Sequence, residues 1–198
     1  MTKVPIILIG GVPGVGKTSI SGYIAREMRI NLVFSGDYIR ESLRSVVEPG
    51  NILNTSVYDS WKFFGDNTES NVIKGFISQG EIVNRATNKI VKRAILNGEP
   101  MIIETLYFIP EQLNEILSEI TPIYIYIDDE DLHVNRLNER EKYTHFGSPG
   151  IRLSSNIKNY RIIMRKSLEE ATKFGINTFD NRMYEETRDK ILRLCIGS

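Results

Sequence analysis

The chain has 198 residues, room for one domain with a sizeable core, and its 25 Lys and Arg balance 25 Asp and Glu, which argues against bulk electrostatic binding to nucleic acid. Cys195 is the single cysteine, so no intramolecular disulfide and no cysteine-held zinc site can form. No apolar run reaches the ~20 residues of a membrane span and no signal peptide is recognisable, so a soluble, cytoplasmic protein is expected.

Residues 4–9 are apolar and of buried-strand length. Gly11-Val12-Pro13-Gly14-Val15-Gly16-Lys17-Thr18 follows, the complete G-x-x-x-x-G-K-[ST] pattern. Apolar residues at Ile20, Tyr23, Ile24 and Met28 then take helical spacing. Strand, glycine loop and helix together form the context that a phosphate-binding loop requires. Glycines let the backbone turn its N–H groups toward phosphate oxygens, and the helix start favours an anion. Lys17 can reach the β- and γ-phosphates, and the Thr18 hydroxyl can ligate Mg²⁺. Residues 11–18, with Ser19 and Arg136, form the expected nucleotide-binding set for ATP.

Residues 32–35 read as a second parallel strand and lead into Asp37, Arg40 and Arg44 on a short helix. Asp37 is expected to take the proton of a substrate hydroxyl or to hold a Mg²⁺-bound water; capping the helix is its bland alternative. Arg40 and Arg44 share one helical face and suit an anionic acceptor. An aromatic stretch with Tyr58, Trp61, Phe63 and Phe64 reads mainly as core. Residues 68–96 have the 3–4 spacing of a long helix, which Gly75 and Gly80 are expected to bend or split.

Residues 101–104 form a third strand ending in Glu104, a carboxylate placed to act through the metal shell. A helix is expected from Ile109 to about Ile120. Residues 122–127 read as a fourth strand, 129–140 as a helix, 157–174 as another, 176–179 as a fifth strand and 183–196 as a terminal helix. Arg136, Arg140, Lys142, His145 and Arg152 cluster around a polar break, so a small lid over approximately 136–158 is expected to close on ATP. His145 alone reads as a surface residue. Asn88-Lys89-Ile90-Val91 lacks the Asp of a guanine motif, so GTP reading is unsupported. Alternating strands and helices predict an α/β fold with a five-stranded parallel sheet, the site lying at the strands' carboxyl ends.

The sequence resembles the archaeal 2-phosphoglycerate kinase family of small phosphate-loop kinases. The resemblance rests on Gly10 to Thr18, Ser35-Gly36-Asp37-Tyr38-Ile39-Arg40-Glu41-Ser42-Leu43-Arg44, the segment from Gly75 to Ile90, Ile102-Ile103-Glu104, and the arginine-bearing stretch to Tyr160. It implies a P-loop NTPase fold, nucleoside-monophosphate-kinase-like, in one domain. It also implies ATP and Mg²⁺, and transfer to a hydroxyl of a small phosphorylated hydroxy-carboxylate. Lys17, Asp37 and Arg140 are the expected catalytic residues. Asp37, Arg40, Arg44 and Glu104 are expected at the acceptor, and Thr18, Asp37 and Glu104 at the metal; which carboxylate is base and which organises the metal stays open. Compact archaeal relatives are implied to include a mevalonate-3-phosphate 5-kinase. Glu104 is followed by Thr105-Leu106-Tyr107, where the family usually has Gly and His, and Leu106 and Tyr107 would suit a longer, more apolar acceptor. Competing readings are a nucleoside or nucleotide kinase and a nucleotide-dependent switch. The expected partners are the small phosphorylated acceptor and, at most, a second copy in a homodimer, without nucleic acid or membrane.

Overall fold

The computed structural model describes residues 4–142 and 150–197, the side chain of Glu141 apart. Five strands, β1 (Ile6–Gly10), β2 (Leu32–Ser35), β3 (Met101–Thr105), β4 (Thr121–Tyr126) and β5 (Asn177–Asp180), form one parallel sheet in the order β2-β3-β1-β4-β5. Helices α1 (Lys17–Met28), α2 (Gly36–Arg44), α3 (Glu69–Asn97), α4 (Glu130–Glu139), α5 (Ile151–Ser154), α6 (Ile157–Lys173) and α7 (Tyr184–Ile196) flank it. Central β1 is buried along its whole length, as a strand covered on both faces must be, and its Ile and Leu side chains each contribute about 1.5–3 kcal/mol by leaving water. β2 lies at the edge, so Leu32, Val33 and Phe34 remain 37%, 45% and 37% exposed.

β3 lies between β1 and β2, and the register still brings their carboxyl ends level. Gly10 is level with Thr105, and Ser35 with Glu104. The loops leaving β1, β2 and β3 therefore open side by side, and Gly11, Asp37 and Glu104 begin at one level of one sheet edge. Gly36 permits the approach: a Cβ there would lie 2.8 Å from the Thr105 hydroxyl.

Three local expectations are corrected. α3 runs unbroken from Glu69 to Asn97, starting at the Thr68 cap and ending at Gly98 with φ +68°. Gly75 and Gly80 do not split it; they admit neighbours, since a Cβ at Gly75 would strike Ser60 and one at Gly80 would strike Ile109. The stretch after Ile109 is two 3₁₀ turns, Pro110–Leu113 and Leu117–Glu119, rather than one helix. The aromatic stretch is a 3₁₀ segment, Val57–Phe63; Tyr58 joins the core, but Phe63 and Phe64 are exposed. Among the described residues no helix is long and apolar enough to cross a membrane.

Candidate active site

β1 ends at Gly10, and the chain turns through Gly14 (φ +85°) and Gly16 (φ +94°) into α1. Both angles lie in the left-handed region that favours glycine. Gly16 is the N-cap of α1, and no side-chain hydrogen bond caps the helix among the described residues. That turn therefore offers N–H groups and the positive end of the helix dipole to an anion. Lys17 is the first residue of α1, and its Nζ donates to the Val12 carbonyl oxygen at 3.1 Å. Burial lowers its pKa, opposed by the charges of Glu104 and Asp37 and reinforced by Arg140. A buried ammonium at a helix start is matched to a polyphosphate, whose charge would restore its proton affinity.

The Thr18 hydroxyl donates to Glu104 Oε1 at 3.1 Å. Glu104 Oε2 is buried without a hydrogen-bond partner, a costly arrangement for a carboxylate oxygen unless a ligand completes it. A hydroxyl and a carboxylate with a spare oxygen, next to a phosphate loop, fit Mg²⁺. Among the described residues no group of three His, Cys, Asp or Glu could hold a metal by itself. That suits an ion held by one or two protein oxygens together with phosphate and water.

Asp37 sits in the first turn of α2, but the cap of that helix is Ser35, whose Oγ accepts from the Asp37 amide at 3.3 Å. The capping alternative for the Asp37 carboxylate is therefore already filled. The carboxylate is exposed in the cleft, where its charge acts on Lys17, Arg140, Tyr107 and Tyr160. Arg140, at the end of α4, has its pKa lowered by burial, with Asp37 and Tyr160 acting in the opposite sense. Lys17, Asp37, Glu104 and Arg140 thus share one electrostatic neighbourhood, although they come from four elements.

The two acceptor arginines are differently engaged. Arg40 is largely buried. One guanidinium nitrogen donates to both Leu53 and Thr55 carbonyl oxygens at 2.6 Å, and another donates to Glu41 at 3.1 Å. Its Nε is buried without a partner. Arg44 pairs with Glu41 at 2.8 Å. Gln79, from α3, holds the same strap by donating to Ile52 and Thr55 carbonyl oxygens at 2.7 and 2.8 Å, and it accepts from the Tyr107 hydroxyl at 2.8 Å. Tyr107 and Leu106 are buried, so they shape the cleft from behind rather than line it openly. Tyr160 packs edge-on to Tyr58 with ring centroids 5.7 Å apart, and its hydroxyl is pushed up in pKa by burial.

Arg136 donates to the Arg182 carbonyl oxygen at 3.1 Å, which ties α4 to the turn after β5. Ser19 is exposed on the first turn of α1, and its carbonyl accepts from the Tyr184 hydroxyl at 3.3 Å. Lys142 is occupied on the surface by Glu139. His145 lies outside the described residues, as do the other residues of 143–149 in the expected lid; of the rest, Arg152 falls on α5, and residues 157–158 open α6. Two residues of the site escaped the sequence reading: His133, whose Nε2 is 2.8 Å from the Pro13 carbonyl oxygen, and Asn181, whose Nδ2 donates to the Val15 carbonyl oxygen at 2.8 Å. The spacing of His133 to Arg136 and Arg140, three and seven residues, was a signal for the first. Asn181 had none, because a lone Asn after a strand reads as a turn.

Residues 10–146 match the family described as AAA domain. A mevalonate-3-phosphate 5-kinase from Thermoplasma acidophilum is 47% identical over 188 residues, covering 94% of this chain and 93% of that protein. 2-Phosphoglycerate kinases from Pyrococcus horikoshii and Methanocaldococcus jannaschii are 34% and 32% identical over 96% of this chain, which spans only 64% and 62% of their lengths. Among solved structures, a shikimate kinase from Acinetobacter baumannii in complex with shikimate has a TM-score of 0.59 at 12% identity, covering 98% of this chain and 94% of that one. The shikimate kinase from Bacteroides thetaiotaomicron reaches a TM-score of 0.53 at 17% identity, over 96% of this chain and 97% of its own. At such identities these two structures bear on the fold alone.

Proposed function

The chain belongs to the AAA-domain family and, within it, with the mevalonate-3-phosphate 5-kinase and the 2-phosphoglycerate kinases, and from that premise we propose that it phosphorylates mevalonate 3-phosphate at the 5-hydroxyl. It is an ATP-dependent small-molecule kinase. The observation that carries the choice of acceptor is the 47% identity to the Thermoplasma enzyme across 94% and 93% of the two chains. The 2-phosphoglycerate kinases are less similar and extend well beyond this chain.

The cleft supplies what the transfer needs. The loop amides and Lys17 take the phosphates of ATP and neutralise charge as it spreads over the transferring group. The acceptor hydroxyl forms the new O–P bond while the bond between the β- and γ-phosphates breaks, and ADP leaves. The hydroxyl proton passes to the Asp37 carboxylate, which the filled Ser35 cap leaves free for that task. Arg140 and the pair Arg44–Glu41 face the anionic acceptor, while Arg40 fixes the strap that closes one side of its pocket. Thr18 and Glu104 are the residues that would hold Mg²⁺, which would supply charge to offset that of the phosphates.

The test is ADP release by the purified chain with Mg²⁺ and ATP, against mevalonate 3-phosphate, 2-phosphoglycerate and nucleoside monophosphates in turn. Mevalonate 3-phosphate should lead the panel in kcat/KM by about 10²-fold. Turnover led by 2-phosphoglycerate or a nucleotide would overturn the assignment, and slow hydrolysis indifferent to every acceptor would favour a switch.

A further inference from the structure

Two buried side chains from outside the glycine motif hold the loop from below. His133, on α4, and Asn181, in the turn after β5, both have no exposed surface. They meet the Pro13 and Val15 carbonyl oxygens at 2.8 Å each. A carbonyl only accepts, so His133 carries its proton on Nε2 and donates. Lys17 takes a third loop carbonyl, that of Val12, at 3.1 Å. A loop that cradles phosphate turns its N–H groups inward, which requires its C=O groups to point away. Outward carbonyls packed against protein need donors, and these side chains are the donors.

The glycines record the same fit. A Cβ at Gly14 would come within 2.8 Å of Leu137 and 3.2 Å of His133, and one at Gly16 within 2.5 Å of the Asn181 amide nitrogen. The two anchors are also joined. Arg136, one turn beyond His133 on α4, donates to the carbonyl of Arg182, the residue after Asn181. The contacts close a ring from Pro13 through His133, α4, Arg136 and the 181–182 turn to Val15.

We propose that His133 and Asn181 are positioning residues of the nucleotide site, which hold the Pro13 and Val15 carbonyls outward so that the loop amides meet the phosphates of ATP. Through α4, His133 also sets Arg136 and Arg140 level with the loop. A peptide that loses its anchor can rotate, turning a carbonyl dipole toward the phosphates and withdrawing an amide. The cost falls on every nucleotide-bound state, so it is read in ATP affinity rather than in acceptor affinity.

The inference rests on ATP use, not on the acceptor. The experiment is therefore a titration with a fluorescent ATP analogue in the absence of any acceptor, beside a melting curve. His133→Leu and Asn181→Leu should each weaken nucleotide binding about tenfold, the weight of one hydrogen bond. His133→Gln, whose amide nitrogen reaches the same carbonyl, should bind within about twofold of the parent. A purely structural role would lower the melting temperature of all three without sparing Gln in affinity. Folded leucine variants with parental affinity, or a Gln variant as weak as Leu, would overturn the proposal. If the leucine variants fail to fold, His133→Asn, whose amide stops short of Pro13, is compared with His133→Gln, and equal affinities would overturn it. Failure of the mevalonate 3-phosphate assignment would leave this titration unaffected.

Discussion

On the proposed nucleotide side of the cleft, backbone amides would meet the ligand, and side chains serve the backbone. Lys17, His133 and Asn181 each take a loop carbonyl, and the helix start supplies free N–H groups. On the proposed acceptor side, side chains would meet the ligand, and other side chains hold the walls. Arg40 and Gln79 fasten the carbonyls of residues 52–55, while Asp37, Arg140, Tyr58 and Tyr160 arrive from four separate elements. Phosphate recognition by backbone constrains a short run of sequence tightly. Acceptor recognition by dispersed side chains can change with little disturbance to the transfer machinery. Such a division fits relatives whose names state different acceptors.

The sharpest way to break the comparison is to remove Lys17, which holds a loop carbonyl and would also meet the phosphates. Lys17→Ala should lower kcat about 10³-fold, because its charge is needed most as the transferring group develops charge. Its melting temperature should fall little, since relief of the ammonium's desolvation offsets the lost bond to Val12. A folded Lys17→Ala chain with parental turnover would remove the nucleotide half of the argument. Asp37→Asn should lower kcat about 10²-fold with ATP binding unchanged. Ser35, not Asp37, caps α2, so the substitution leaves the helix intact. Steady-state kinetics at saturating acceptor, beside a melting curve, decides it; an unchanged kcat would leave the base unassigned.

The same contrast governs how much could be read from the sequence. The loop at residues 11–18 was legible because its chemistry is local: glycine spacing, lysine and threonine lie within one run and are flanked by a strand and a helix. The five-stranded sheet followed from alternating apolar strands and amphipathic helices. The order of the strands did not, since periodicity says which faces are buried and nothing about which neighbour buries them. The role of Arg40 was read from its type and helical face as acceptor binding. Its carbonyl partners lie 13 and 15 residues away in a 3₁₀ strap that has no periodicity. Asn181 reaches Val15 across 166 residues, and no pattern within a window of sequence contains such a contact.

Arg40 offers a milder test of the acceptor half. Removing its guanidinium orphans the Leu53 and Thr55 carbonyls, and hydrogen bonds to a charged group contribute about 1.5–3 kcal/mol. Arg40→Ala should therefore lower the melting temperature and raise the acceptor KM about tenfold, with the ATP KM unchanged. Arg40→Lys should recover part of the stability, because a single ammonium reaches a carbonyl but lacks the fork. A rise confined to the ATP KM would place Arg40 in the nucleotide half instead.

The smallest expected effect is a pH dependence of stability written into the loop anchor. Burial lowers the pKa of His133 below its ordinary 6.5, Lys17, Arg136 and Arg161 add to the lowering, and only the bond to Pro13 opposes it. Between that lowered value and 6.5 the unfolded chain binds a proton that the native chain does not. Stability contributed by neutral His133 is therefore complete above 6.5 and is lost as pH falls below it, with a slope of up to about 1.4 kcal/mol per pH unit. His133→Gln keeps a donor for Pro13 and removes the titration, so its stability should fall less steeply across the same window. Urea midpoints measured from neutral pH downward in both chains give the comparison, and carboxylates common to both cancel in the difference. Parallel curves would mean that His133 takes up its proton in the native state as readily as in the unfolded one. Its ring would then have to reach water, and the anchor beneath the loop would be looser than its 2.8 Å contact with Pro13 requires.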